Sequence, residues 1–314
     1  MTFWLLTAAV TFCVFAALVT IGSIVVGLAA PRIARRFEGY SPAACAAGLF
    51  RIRMTPGVLG ASIAFLIVLP TFLAYEPRDT DESVPVTVTL LACLGAALLL
   101  RGVWRAARAW WATRAVVREW QRRGRRVEQF DSPLPVFAVE EAFPTVAVVG
   151  VARPALFIAE RVLRECPADE VRAMLHHECA HVAKRDNLKR FLMRACPDFV
   201  GAGLDRAWAR AAEEAADAAV VAHNPRSSLE LAQALIHVAR LAPAPEAPAL
   251  ASAFYLGGSI ESRVRRLVQP EPPQPGRDGA GRTIAIIAAL LPGVAIAAAP
   301  TIHRVVETIV HALP

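Results

Sequence analysis

Between Met174 and Asp186 the chain reads MLHHECAHVAKRD, and His177, Glu178 and His181 within it fit the pattern H-E-x-x-H. On a helix, His177 and His181 stand one turn apart on one face and can present imidazole nitrogens to a single ion. Glu178 lies near the same edge, placed to act as general base on a water that the ion activates. That is the chemistry of metal-assisted hydrolysis; a polar helix face that binds no metal is the alternative. Catalytic zinc usually takes three protein ligands and keeps a fourth position open, so a third donor must come from another element. The stretch WARAAEEAADAAV supplies it, with Glu213 and Asp217 one turn apart among alanines small enough to let two helices approach. The reading therefore assigns Zn2+ to His177, His181 and Glu213. Asp217 is expected to accept a hydrogen bond from a ligand imidazole and fix its tautomer. Asp186 is expected to anchor the site by hydrogen bonding, with a solvated helix end as the alternative. Glu214 projects about 100° away and is expected to be solvated. His176 points off the metal face and is expected to be a packed or surface residue. His223, His237 and Tyr255 are candidate transition-state donors that nothing in the sequence ranks.

These residues need elements to hold them. From Cys166-Pro167 onward the pattern is helical, with Asp169 and Glu170 in the first turn where the helix dipole favours acids. Val171, Met174, Leu175 and Val182 give that helix an apolar face. Trp208 to Ala222 reads as a second, alanine-rich helix. Upstream, TVAVVG and ALFIA are short apolar runs bounded by Pro, Gly and Arg, as in a small sheet. TVAVVG is expected to be an edge strand on which an extended peptide pairs through its main chain.

The rest of the chain is built for a bilayer. Of its 314 residues, 55% are hydrophobic, above the share of a typical soluble domain. Met1–Pro31, Met54–Tyr75, Ser83–Leu100 and Thr283–Ile302 lack Asp, Glu, Lys and Arg altogether. Each is near the ~20 residues a helix needs to cross the hydrocarbon core. The first run lacks the basic start of a secretory signal and is expected to be a retained helix. Arg32, Arg35, Arg36, Arg51 and Arg53 follow the first run, EPRDTDES follows the second, and an arginine-dense stretch follows the third. The positive-inside rule then places both termini outside and the segment from Arg101 to Arg282 in the cytoplasm. The net charge of +7 is accordingly assigned to membrane-flanking arginine rather than to a nucleic-acid surface. Trp104, Trp110, Trp111 and Trp120 in the basic stretch suggest an interfacial helix at headgroup level. The six cysteines include no C-x-x-C pair, and none falls in an expected external loop, which suits a reducing compartment.

The expectation is thus a mainly α, multi-pass cell-membrane protein of four transmembrane helices, with a cytosolic α+β domain inserted between helices three and four. Residues 1–128 hold three spans (about 3–30, 55–75 and 83–101) and the basic interfacial helix. Residues 129–267 form the metal-binding domain and 268–282 a Pro/Gly-rich linker. The fourth span covers 283–302, bent at Pro292, and 303–314 is a short external tail.

EVRAMLHHECAHVAKRD followed by the E-x-x-x-D of Glu213–Asp217 resembles the membrane-embedded gluzincin metallopeptidases. Two groups share that layout: the HtpX-like and CAAX prenyl proteases, and the BlaR/MecR-type antibiotic-sensing peptidases. The second is the closer in its span arrangement, in GVARPALFIAERVL before the motif helix, and in IESRVRRLVQP before the last span. The resemblance implies a zincin-like fold, with His177, His181 and Glu213 as ligands and Glu178 as catalytic base. It also implies a regulatory endopeptidase acting on a protein substrate such as a transcriptional repressor, without direct nucleic-acid binding. The alternatives are an HtpX-like quality-control protease and a non-catalytic signalling scaffold. The chain departs from the sensors in one respect. Its only lysines, Lys184 and Lys189, do not follow a serine in S-x-x-K spacing, so a signal is expected from a separate partner, from lipid or through the short external segments.

Overall fold

Residues 3–37, 39–76, 85–141, 146–200, 202–241, 260–269 and 308 are described by the computed structural model, and most of them are helical. The expected fourth span, its linker from 270 onward, most of the external tail, the acidic loop at 77–84 and Tyr255 lie outside the described residues.

Helix α1 covers Phe3–Arg36 and α2 covers Pro42–Ile63. The second stretch continues through a π-helical turn, Ala64–Val68, into α3, Leu69–Tyr75. Pro70 has no N–H to donate to the preceding turn, which accounts for a widened turn just before it. Helix α4 covers Val86–Arg123. Three stretches, Phe3–Ile33, Pro42–Tyr75 and Val86–Arg123, are long and apolar enough to cross a membrane. Their outer faces carry Leu28 and Leu66, both 72% exposed, and Val86 at 71%. Helices apolar on all sides bury only part of that surface against one another and need an apolar medium for the rest.

Two expectations are corrected here. The helix that carries the second apolar run begins at Pro42, ahead of the run itself, so Arg51 and Arg53 are helical and not part of a loop. Arg53 is 1% exposed, and its guanidinium pairs with Asp198 and, at 2.7 Å, with Asp205. It ties the second span to the rest of the molecule instead of facing headgroups. In addition, the basic stretch is not a separate interfacial helix, because α4 is unbroken for 38 residues. At 1.5 Å per residue it is about 57 Å long, so the basic half leaves the apolar half along the same axis. Past Gly102 its sequence holds only Ala, Arg, Trp and similar helix-compatible residues, with no breaker until Gly124.

Strands β1 (Arg125–Val127), β2 (Val136–Val139), β3 (Val146–Val149) and β4 (Ala155–Ala159) form one sheet in the order β1-β2-β4-β3. The expected runs TVAVVG and ALFIA correspond to β3 and β4, paired antiparallel, and β3 lies at the edge. Strand β2 runs parallel to β4, and β1 extends the sheet from the end of α4. Helices α5 (Glu160–Glu165), α6 (Ala168–Ala183), α7 (Asp186–Ala195), α8 (Ala202–His223), α9 (Ser227–Leu241) and α10 (Ile260–Val268) follow. One core joins Leu156 and Ile158 of the sheet to Leu175 of α6 and Leu231 of α9. A second packs Trp208 and Leu204 of α8 and Met193 of α7 against Leu49 of α2, which anchors α8 to the second span. The approach is close: a Cβ at Gly102 would come within 2.6 Å of the Ala195 carbonyl oxygen, so α4 meets the end of α7 only through a glycine there.

Candidate metal centre

Helix α6 carries the H-E-x-x-H residues and α8 carries Glu213 and Asp217, and the two helices pack against each other. Ala215 and Ala216 of α8 are buried between those two acids, while Ala211 and Ala212 pack in the core with Leu49 of α2. The close approach brings three ligating atoms together. His177 Nε2 and His181 Nε2 are 3.2 Å apart, His177 Nε2 lies 3.3 Å from Glu213 Oε2, and His181 Nε2 lies 3.5 Å from Glu213 Oε1. A tetrahedral ion with bonds of about 2.0–2.1 Å to nitrogen and oxygen has ligand-to-ligand edges of about 3.3 Å. The two distances to Glu213 run to different oxygens of one carboxylate, and with one donor atom taken from each residue all three lie within 4.8 Å of one another, a grouping that could hold one ion. His177, His181 and Glu213 are each less than a tenth exposed.

The tautomers agree with that fit. His181 Nδ1 lies 2.9 Å from Asp186 Oδ2, so Nδ1 carries a proton and Nε2 is the nitrogen that could exchange its own proton for a metal ion. His177 Nδ1 lies 3.0 Å from Asp217 Oδ1, at ion-pair distance although the angle is poor for a hydrogen bond. Two imidazole lone pairs facing each other at 3.2 Å repel unless positive charge lies between them. Burial disfavours a charged His181, but the bonds to Asp186 and Glu213 outweigh it and push its pKa up to about 10. Burial likewise opposes a charged Glu213, yet bonding to the two imidazoles holds its carboxyl well below the usual range. The same balance, with His177 and Arg263 as partners, holds Asp217 near 2. A cation entering this point competes with a proton that the carboxylates already attract.

Asp186 reaches His181 because of an unusual turn. Arg185 adopts φ 55° and ψ 39°, left-handed values uncommon outside glycine, and this ends α6 and starts α7 at once. The chain doubles back, burying Asp186 at 1% exposure under the imidazole, with Lys189 at 3.0 Å on its other oxygen. Glu178 is half-buried, and its Oε2 accepts a 2.9 Å hydrogen bond from the N–H of Val148 on the edge strand. Asn187 of α7 donates to the carbonyls of Val148 and Gly150 at 3.1 and 3.0 Å. Val148 therefore turns both backbone groups away from β4, and alternation along an antiparallel pair gives Val146 the same orientation. Val146, Met174, His177 and Glu178 line a small cavity closed on its far side by α9 and Arg263.

Arg263 is the residue that sequence reasoning missed. It is 2% exposed and grips Asp217 with two bonds, Nε to Oδ2 at 2.9 Å and Nη2 to Oδ1 at 2.6 Å. Its Nη1 lies 3.3 Å from Glu213 Oε2, and its Nη2 lies 3.4 Å from His177 Nε2. A signal existed: Ile260, Arg263, Val264 and Leu267 share one face of α10, which puts an arginine on the buried stripe. The other candidates are engaged elsewhere. His176 and His223 stack edge to face at 4.9 Å, and His237 Nδ1 lies 2.6 Å from Glu170. Glu214, expected to be solvated, is only partly so, pairing with Arg266 at 2.9 Å. All six cysteines are free thiols.

No protein-family model matches the chain, and no curated protein matches its sequence.

Proposed function

We propose that this protein is a membrane-anchored, zinc-dependent endopeptidase that cuts a cytosolic or juxtamembrane segment of another protein. The observation that carries the reading is the gathering of one donor atom each from His177, His181 and Glu213 within 4.8 Å of one another, with Glu178 and His177 lining one cavity. Bound zinc supplies Lewis-acid polarisation of a scissile carbonyl and a lowered pKa for water.

The chain's own groups do the rest. Glu178, steadied by the Val148 N–H, takes a proton at its free carboxylate oxygen and returns it to the leaving amine. Asp186 and Asp217 keep the two imidazoles turned with Nε2 inward. Arg263 holds Asp217 in turn. The edge strand offers the backbone of Val146 to an extended peptide, which selects for chain conformation more than for side chain. The three membrane-type helices and the arginine bias of their flanks favour a cytoplasmic catalytic domain with the N-terminus outside. On the likeness to BlaR/MecR-type peptidases, the substrate is a regulatory protein such as a repressor, and a separate partner supplies the signal.

The test uses the full chain in membranes. Purified Glu178→Gln should retain the ion of this centre while hydrolysis falls about 10²–10⁴-fold. His177→Ala should lose both. Comparison of cytosolic proteins between cells carrying wild type and Glu178→Gln should reveal a fragment made only by the wild type. Normal cleavage by Glu178→Gln would sink the assignment.

A further inference from the structure

A second group of ligating side chains gathers at the opposite end of α6. Cys166 directly follows α5, Glu170 lies in the first turn of α6, and His237 lies on α9. Cys166 and Glu170 are 7% and 4% exposed, whereas the His237 side chain is 41% exposed. The sulfur, one carboxylate oxygen and one ring nitrogen all lie within 4.8 Å of one another. Edges of about 3.3–3.7 Å are needed around a tetrahedral ion with bonds of about 2.3 Å to sulfur and 2.0–2.1 Å to nitrogen and oxygen. Side-chain rotations of about an ångström therefore bring the three donors onto one centre.

The donor types narrow the ion. Thiolate with imidazole suits zinc and its neighbours, whereas magnesium and calcium take oxygen ligands. The half-exposed imidazole gives access from solvent. Nothing in the hydrolytic scheme uses these residues, and a Glu170–His237 hydrogen bond alone does not call for a thiol beside it. Burial, then the charges of Glu170 and Glu165, push the Cys166 thiol up to about 11, so at neutral pH it keeps its proton until a cation replaces it.

We propose that Cys166, Glu170 and His237 form a second site for a borderline divalent transition ion such as Zn2+, which clamps the start of α6 to α9. Binding releases the thiol proton to solvent and changes no oxidation state. The clamp bears on the first centre, because Leu231, Leu235 and Val238 of α9 line the cavity shared with His177 and Glu178. The ion would hold that wall in place. The site stands on its own residues and does not depend on the hydrolytic reading.

Cobalt distinguishes the two centres. The His177 ligand set has no thiolate, so a near-ultraviolet thiolate-to-cobalt charge-transfer band that persists in His177→Ala and disappears in Cys166→Ser belongs to the second site. Full-length protein in lipid nanodiscs, titrated with Co2+, should develop that band and saturate it at one ion per chain. His177→Ala should retain the band and Cys166→Ser should lose it. His237→Ala should weaken cobalt binding by about 10-fold or more. Cys166→Ser should still bind one Co2+ at the His177 centre, which shows that loss of the band is not loss of the fold. Absence of the band in wild type, or its survival in Cys166→Ser, overturns the proposal.

Discussion

Arg53, in the second membrane-type helix, sits between Asp198 and Asp205; Arg263, on α10, sits between Asp217 and Glu213. Both arginines are at most 2% exposed, and each faces two carboxylates. The difference lies in where the surplus negative charge goes. Asp205 has a side chain 43% exposed, so water solvates what Arg53 leaves unbalanced. Asp217 and Glu213 have side chains only 8% and 11% exposed, and two imidazoles face the same point. Water reaches that excess poorly; Arg190 meets Glu213 only at 3.5 Å from a partly exposed position, so a proton or a cation at the imidazoles would add to the balance. The same residue types therefore make a structural clamp in one place and a cation-seeking centre in the other. The two are mechanically joined: Asp205 and Glu213 lie on α8, about two turns apart.

The largest expected effect comes from Arg53→Met. It strands buried Asp198 and should cost about 3–5 kcal/mol, read as a lower thermal midpoint in micelles. On the proposed reading, an ion bound at the His177 centre should remain until the protein unfolds; earlier loss would break the distinction between clamp and centre. Arg263→Met should act differently, by making stability depend on the ion. Asp217 loses its guanidinium partner and Glu213 keeps only Arg190 at 3.5 Å, so chelation should lower stability by about 1–3 kcal/mol more in the variant than in wild type. Equal sensitivity to chelator would show that Arg263 has no charge-balancing part. Next is Asp217→Asn, which removes the carboxylate at His177 Nδ1. Zinc affinity, measured by chelator competition, should fall about 10–100-fold.

The same variant has a signature in acid. The folded-state pKa of Asp217 lies near 2 against an ordinary 3.8. Its contribution to stability is thus full above about 3.8 and is lost as the pH falls through about 2. Chelated wild type should show that loss, and Asp217→Asn should show less of it. The smallest effect is expected for Asp205→Asn. Its half-exposed ion pair should contribute less than about 1 kcal/mol to the unfolding free energy. A larger value would show that the clamp on α8 is tighter than its exposure suggests.

Much of the centre was legible before any coordinates because its parts are local. His177, Glu178 and His181 share one helical turn, and Glu213 and Asp217 share another, so a period of 3.6 residues suffices to align them. The two short strands and the three apolar stretches were legible for the same reason. The errors have one cause as well. Arg53 was read by its neighbours in sequence, as a charge following an apolar run, whereas its partners lie about 150 positions further on. Arg263 stands close to Arg265 and Arg266 in sequence, yet it alone of the three faces inward, while Arg265 pairs with Glu261 at the surface. The basic half of α4 was assigned a turn into the interface on charge and tryptophan content. Helix continuity overrode that, because nothing in the segment stops the backbone ladder.

By itself the sequence determined which donors exist, how they repeat along helices, and which stretches seek an apolar medium, since composition and periodicity are local properties. Only the tertiary structure decided that α6 and α8 meet at a ligand spacing, that Asp186 folds back under His181, and that an arginine from α10 completes the charge balance. Those outcomes depend on small residues letting helices approach and on burial removing water from around charge. Both are properties of the packed molecule and of no single segment.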